Sequence, residues 1–225
     1  MKDIDFNKYP LPARMRHHTS PNFYFPLSDL KIIPELYPPV YKEIIWKDLF
    51  EDGGAPKILD IGCGRGLFLL KLAIDIFPNK NVLGLEVRAW CCDWLKTYIK
   101  NENINNCYAL HYSVANGLLF LDENSIEEIY YLFPDPWVKK KHLRRRAFNQ
   151  KFLKEIYRVL KPNGKLFLAT DLLEVDCYHK EELTHFEKMN WKDIQTQEEW
   201  NRPATNKELF CLRENIKTYK IIASK

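Results

Sequence analysis

Metal-type cysteine spacing is missing from this 225-residue sequence. The six cysteines (Cys63, Cys91, Cys92, Cys107, Cys177 and Cys211) form no CxxC pair and meet no histidine at zinc-ligand spacing. A zinc-organised domain and a disulfide framework are both excluded, and the thiols read as reduced and partly buried. No stretch approaches the roughly 18 consecutive apolar residues of a membrane span. The first ten residues, MKDIDFNKYP, have no apolar core of a secretory leader. The expectation is a soluble, cytoplasmic protein with no membrane partner and no metal. Internal repeats and low-complexity tracts are absent as well, so neither a solenoid nor a long disordered tail is expected.

What is present is ordinary in amount and unusual in placement. Apolar residues make up 46% and charged residues 28%, enough for one large domain with a proper core. Six cations fall between 139 and 146: Lys139, Lys140, Lys141, Arg144, Arg145 and Arg146. Removing them from the formal net charge of +4 leaves −2 for the rest of the chain. A slightly acidic body with one concentrated basic patch implies a localised anionic partner.

Residues 1–39 are rich in proline and aromatics, include His17 and His18, and show little periodicity; they read as an N-terminal arm laid over a domain spanning 40–225. YKEIIWKDLF (41–50) has helical spacing. The pattern then alternates: strands at 57–61, 81–86, 107–112, 126–133 and 165–170, with helices at 66–77, about 88–100, 149–160 and about 174–188. Two strand-like stretches near 207–213 and 218–224 are expected to pair as a C-terminal antiparallel hairpin. The fold class is therefore α/β, Rossmann-like, with a mostly parallel sheet.

LDIGCGRG puts Gly62, Gly64 and Gly66 between the first strand and its helix, where nucleotide-like ligands approach the backbone. Asp60 ends that strand. A carboxylate there repels a pyrophosphate and attracts a ligand with an ammonium and a sulfonium. Glu86 ends the second strand twenty residues after Gly66, placed to accept hydrogen bonds from ribose hydroxyls. Together with GxGxG spacing in place of GxGxxG, these acids favour S-adenosylmethionine over a nicotinamide cofactor. Ser113 follows the third strand, toward the adenine side, and an ordinary strand-end turn is an equally good reading of it.

At the fourth strand end, FPDPW holds Asp135 between two prolines, which restrict the backbone on either side of the acid. FPDPWVKKKHLRRRAFNQKFL, after LDIGCGRG and GLEVR and before ATDLLE, resembles the tRNA (guanine-N7)-methyltransferase family over about residues 57–171. The resemblance implies a class I Rossmann-like methyltransferase that passes a methyl group from S-adenosylmethionine to guanine N7 in the tRNA variable region, with S-adenosylhomocysteine as by-product. It implies cofactor contacts at Asp60, the glycine loop, Glu86, Ser113 and Asp135, with Asp135 also the catalytic residue. It implies tRNA contacts at Lys139, His142, Arg145 and Asp171, and at the T-x-x-E element from Thr205 to Glu208. No obligatory protein partner is evident, and a monomer and a homodimer fit equally. The chain departs from the family at Ser113, where an Asp or Asn is usual. It departs again at TNKELFCLREN, which keeps Thr205 and Glu208 without the aromatic and glycine. Two alternatives stay open at this point: a methyltransferase for another RNA or for an exocyclic base amine, and a non-catalytic tRNA-binding homologue.

Overall fold

The computed structural model describes residues 4–11 and 20–225, so His17 and His18 lie outside the described residues. Strands β1 (Ile58–Ile61) and β2 (Val82–Glu86) are buried at every position, as befits short apolar strands covered on both faces. They join β3 (Cys107–His111), β4 (Ile126–Leu132), β5 (Leu160–Thr170), β6 (Asn190–Asp193) and β7 (Tyr219–Ser224) in one sheet of order β3-β2-β1-β4-β5-β7-β6. The first five strands are parallel; β7 runs antiparallel to both β5 and β6. From β1 the chain winds outward to β2 and β3, then returns to place β4 on the other side of β1. That reversal opens a crevice at the carboxyl ends of the strands.

Helices cover both faces. On one, Phe152, Leu153 and Ile156 of α3 (Gln150–Val159) and Leu183 and Phe186 of α4 (Leu173–Phe186) pack with Leu59, Ile129 and Leu168. On the other, Phe68 and Leu69 of α1 (Leu67–Lys71) and Leu95 of α2 (Ala89–Asn101) pack with Ile58, Tyr130 and Phe167. α1 continues as a π-helical stretch, Leu72–Ile76, and stops before Pro78. Asn149 starts α3 because its side-chain oxygen accepts from the N–H groups of Lys151 and Phe152 at 3.0 and 3.1 Å. Gly66 takes a left-handed φ of +75°, and a Cβ there would sit 2.2 Å from the buried Leu95 side chain, so this glycine lets α1 approach α2.

Two sequence expectations are corrected. The 41–50 segment forms only a 3-10 turn, Trp46–Asp48. It is short, has adjacent β-branched Ile44 and Ile45, and shows no side-chain cap, so packing rather than helix propagation holds it. Phe50 is nonetheless buried in the core. The 207–213 stretch is helical, not a strand. Thr205 accepts from the Glu208 N–H at 3.0 Å while Glu208 accepts from the Thr205 N–H at 2.9 Å, a reciprocal cap that starts α6 (Asn206–Arg213). The antiparallel partner of β7 is β6, and the short α5 (Gln197–Trp200) and α6 lie between them in place of a tight turn.

Candidate functional site

The sequence-assigned acids gather on one rim. Asp60 and Glu86 end neighbouring strands and are each only 3% exposed. Glu86 is fully engaged: it accepts from the Gly64 N–H at 2.9 Å, the Arg88 N–H at 3.0 Å, and the Arg88 guanidinium at 2.8 and 3.0 Å. Asp60 differs. Among the described residues its carboxylate takes no hydrogen bond, and burial, reinforced by the charge of Glu86, pushes its pKa up to about 8. A buried acid without donors favours a cationic ligand.

Two cavities meet beside these acids. One, of about 310 Å³, is lined by Asp60, the glycine loop, Arg65, Phe133 and Thr205. The other, of about 170 Å³, is lined by Glu86, Ser113, Tyr24, Pro134 and Asp135. They share Gly62, Arg88, Leu132 and Phe133, so they form one crevice across the glycine loop. A Cβ at Gly62 would meet nothing within 4 Å, leaving the backbone open to a ligand there. An extended molecule with a cationic end near Asp60 suits this crevice, with hydroxyls able to reach Glu86 where the Arg88 guanidinium gives way, and S-adenosylmethionine fits that donor set. A larger groove of about 1200 Å³, between Phe25, Lys31, Arg144 and Lys151, adjoins the crevice along Tyr24 and Ala147 and is not lined by Asp60, Glu86 or Asp135.

Asp135 is exposed at the lip of the crevice. Its turn is strained on both sides: Phe133 and Trp137 adopt left-handed φ values of +49° and +41°. The Phe133 N–H donates to the Ala169 carbonyl at 2.7 Å, tying the turn to β5. Trp137 is walled by the Tyr24 ring at 4.9 Å, His142 at 5.8 Å and the Arg145 guanidinium at 4.9 Å. Lys139 is exposed beside the 3-10 segment Lys140–Arg145. Burial first, then the positive charge of Arg145, lowers the His142 pKa, favouring the neutral ring.

Of the remaining assigned residues, Thr205 and Ser113 line the crevice and Asp171 and Glu208 do not. Asp171 pairs with Lys207 at 2.7 Å, and Thr205 lines the same cavity as Asp60. Glu208 points inward, committed to the Thr205 N–H and to Lys220 at 2.7 Å. Ser113 donates its hydroxyl to the Phe23 carbonyl at 2.6 Å. Sequence reasoning gave no role to Arg88, although a cation two positions beyond an acid at a strand end was a usable signal. It also missed Phe23 and Tyr24, whose hydroxyl donates to Asp135. The arm carries no periodicity from which such contacts could be read.

With this geometry in hand, the comparisons decide the family. A family model described as "Putative methyltransferase" matches residues 54–220. A tRNA (guanine-N(7)-)-methyltransferase of Prochlorococcus marinus subsp. pastoris is 30% identical over 94% of this chain and 100% of its own length. The chain belongs to the tRNA (guanine-N(7)-)-methyltransferase family. A second relative of the same name, from Lactobacillus johnsonii, is 35% identical over 58% of this chain and 59% of its own. Solved structures agree on the fold alone. The YcgJ protein of Bacillus subtilis superimposes with a TM-score of 0.52 at 13% identity, covering 76% of this chain and 92% of that one. A SAM-dependent O-methyltransferase of Thermotoga maritima does so with 0.51 at 16% identity, covering 79% and 61%.

The Asp60 shift carries a test in the ligand-free protein. A carboxyl whose folded pKa lies above its unfolded value favours folding most below the unfolded value near 4, and that contribution is lost as pH rises toward about 8. Asp60→Asn removes the group. The stability of the variant relative to wild type, from urea unfolding, is therefore expected to rise steadily between pH 4 and pH 8. A difference independent of pH would show that Asp60 ionises normally.

Proposed function

We propose that this protein transfers the methyl group of S-adenosylmethionine to N7 of a guanine in the tRNA variable region, leaving 7-methylguanosine and S-adenosylhomocysteine. The observation that carries this reading is the donorless, buried Asp60 beside Glu86, across one crevice from Asp135 and next to a run of six cations. The named activity of the relatives supports it. In the same reading, residues 1–39 form an arm on a catalytic domain spanning 40–225. The enzyme works in the cytoplasm as a monomer or homodimer, without an obligatory protein partner.

When bound, S-adenosylmethionine supplies an electrophilic methyl on a sulfonium: the N7 lone pair forms the new N–C bond and the C–S pair stays on sulfur. N7 carries no proton, so no general base is needed to start the step and none is released from that atom. Asp60 would hold the amino end of the donor and the open Gly62 backbone would lie under it, while Glu86 would take the ribose hydroxyls in exchange for part of its pairing with the Arg88 guanidinium. Asp135, fixed at the lip, stabilises positive charge as it moves from sulfur to the base. Aligning the two reactants is the larger task, and the rigid FPDPW turn suits it. Thr205, which lines the crevice, and Asp171, paired with the crevice residue Lys207, would accept from or donate to the guanine edge. Lys139, Lys140, Lys141 and Arg144 form an exposed landing surface for RNA phosphates, with His142 and Arg145 nearer Trp137.

Incubation with S-adenosylmethionine and unmodified tRNA, followed by digestion and mass spectrometry, is expected to show 7-methylguanosine. With Asp135→Asn the product is expected to disappear while tRNA affinity stays within a few-fold. A different methylated nucleoside, or an Asp135→Asn enzyme with near-normal turnover, would contradict the assignment. Replacing Lys139, Lys140 and Lys141 by Ala is expected to flatten the salt dependence of tRNA binding. The change should be up to about one log–log unit for each phosphate that the variant no longer neutralises. An unchanged slope would place the RNA on another face.

A further inference from the structure

The prolines flanking Asp135 restrict its backbone but leave its side chain free to rotate. Something else must aim the carboxylate. Among the described residues the only hydrogen bond to it comes from Tyr24, whose hydroxyl donates to Oδ2. The Tyr24 ring also packs edge-on against Trp137, two residues beyond Asp135, with centroids 4.9 Å apart. The same residue therefore touches both the acid and the strained side of its turn.

Tyr24 is itself held in place, and the departure at Ser113 explains how. A hydroxyl can donate to the Phe23 carbonyl, as it does at 2.6 Å. A carboxylate at that position would confront the carbonyl oxygen with a second acceptor. Three residues on, Asn116 accepts from the Leu27 N–H at 2.8 Å and donates its side-chain amide to the Tyr37 oxygen at 2.9 Å. Tyr37 in turn donates to the Phe25 carbonyl at 2.7 Å. The loop after β3 thus pins residues 23–27 and Tyr37 on either side of Tyr24. The arm is anchored where the family usually carries Asp or Asn.

We propose that Tyr24 is a positioning residue for methyl transfer: its hydroxyl holds Oδ2 of Asp135 and leaves Oδ1 directed to the reacting groups. The proposal rests on the assigned reaction and on the role of Asp135 within it. It does not require Tyr24 to bind donor or RNA.

Tyr24→Phe keeps the ring against Trp137 and removes only the hydroxyl. The expected result is about a ten-fold loss in kcat with KM for tRNA and for S-adenosylmethionine within two-fold. In an Asp135→Glu background, where the carboxylate is displaced by one methylene, the same substitution is expected to cost less than two-fold. A readout independent of turnover is the carboxyl-carbon resonance of Asp135 in the ligand-free protein labelled with [13C]aspartate, assigned by its disappearance in Asp135→Asn. Tyr24→Phe is expected to move that resonance and leave the other aspartates unmoved. An unmoved resonance, a kcat within two-fold of wild type, or an equal loss in the Asp135→Glu background would each overturn the proposal. A wild-type chain that makes no 7-methylguanosine would instead overturn the reaction, and the resonance alone would then decide whether Tyr24 holds Asp135.

Discussion

Two carboxylates buried side by side at the ends of β1 and β2 set the terms for everything around them. Both are nearly inaccessible to water, and two adjacent negative charges there cost far more than they would at the surface. The fold resolves the conflict unevenly. Glu86 receives two backbone N–H groups and a two-pronged guanidinium, while Asp60 receives no hydrogen bond among the described residues and holds its proton to about pH 8. Such an arrangement stores a preference for an incoming cation. In the proposed reaction that cation would be the amino end of the methyl donor.

The opposite wall of the crevice is built on a different principle. Asp135 is exposed, so burial cannot fix it. Rigidity comes from the two prolines, from the Phe133 N–H bond to β5, and from a Trp137 ring enclosed by Tyr24, His142 and Arg145. The left-handed φ values at Phe133 and Trp137 are tolerated because this packing over-determines the turn. In the proposed reading the basic segment that follows has a separate purpose, to attract a polyanion to the lip. Arg146 is the exception among its cations: it is buried, bonded to the Pro136 carbonyl at 2.9 Å and paired with Glu174 at 2.7 Å. That residue braces the turn more than it recruits RNA.

The parallel half of the sheet was legible because its strands are short apolar runs alternating with helices of clear period, and the glycine loop and both acids followed from their positions at strand ends. The C-terminal part was not. KELFCL alternates enough to imitate a strand, and only the T-x-x-E spacing marked it as a capped helix. That same spacing was assigned to tRNA contact, yet the Glu208 carboxylate is spent on the cap and on Lys220. Tyr24 and Phe23 were invisible for another reason: a segment without periodicity reveals nothing about which distant loop it will meet. Ser113 looked like a weakened ligand contact and became intelligible only with its partner, the Phe23 carbonyl.

On this account Asp60 is a proton-holding acid awaiting a cation. Calorimetric titration of the protein with S-adenosylmethionine at pH 7, in two buffers of different ionisation enthalpy, measures the protons exchanged on binding. With a free-state pKa of about 8, Asp60 is mostly protonated at that pH and must ionise to hold the ammonium. Release approaching one proton per donor bound, abolished in Asp60→Asn, is the predicted result. Tight binding with no proton released, or the same release from the variant, would contradict it.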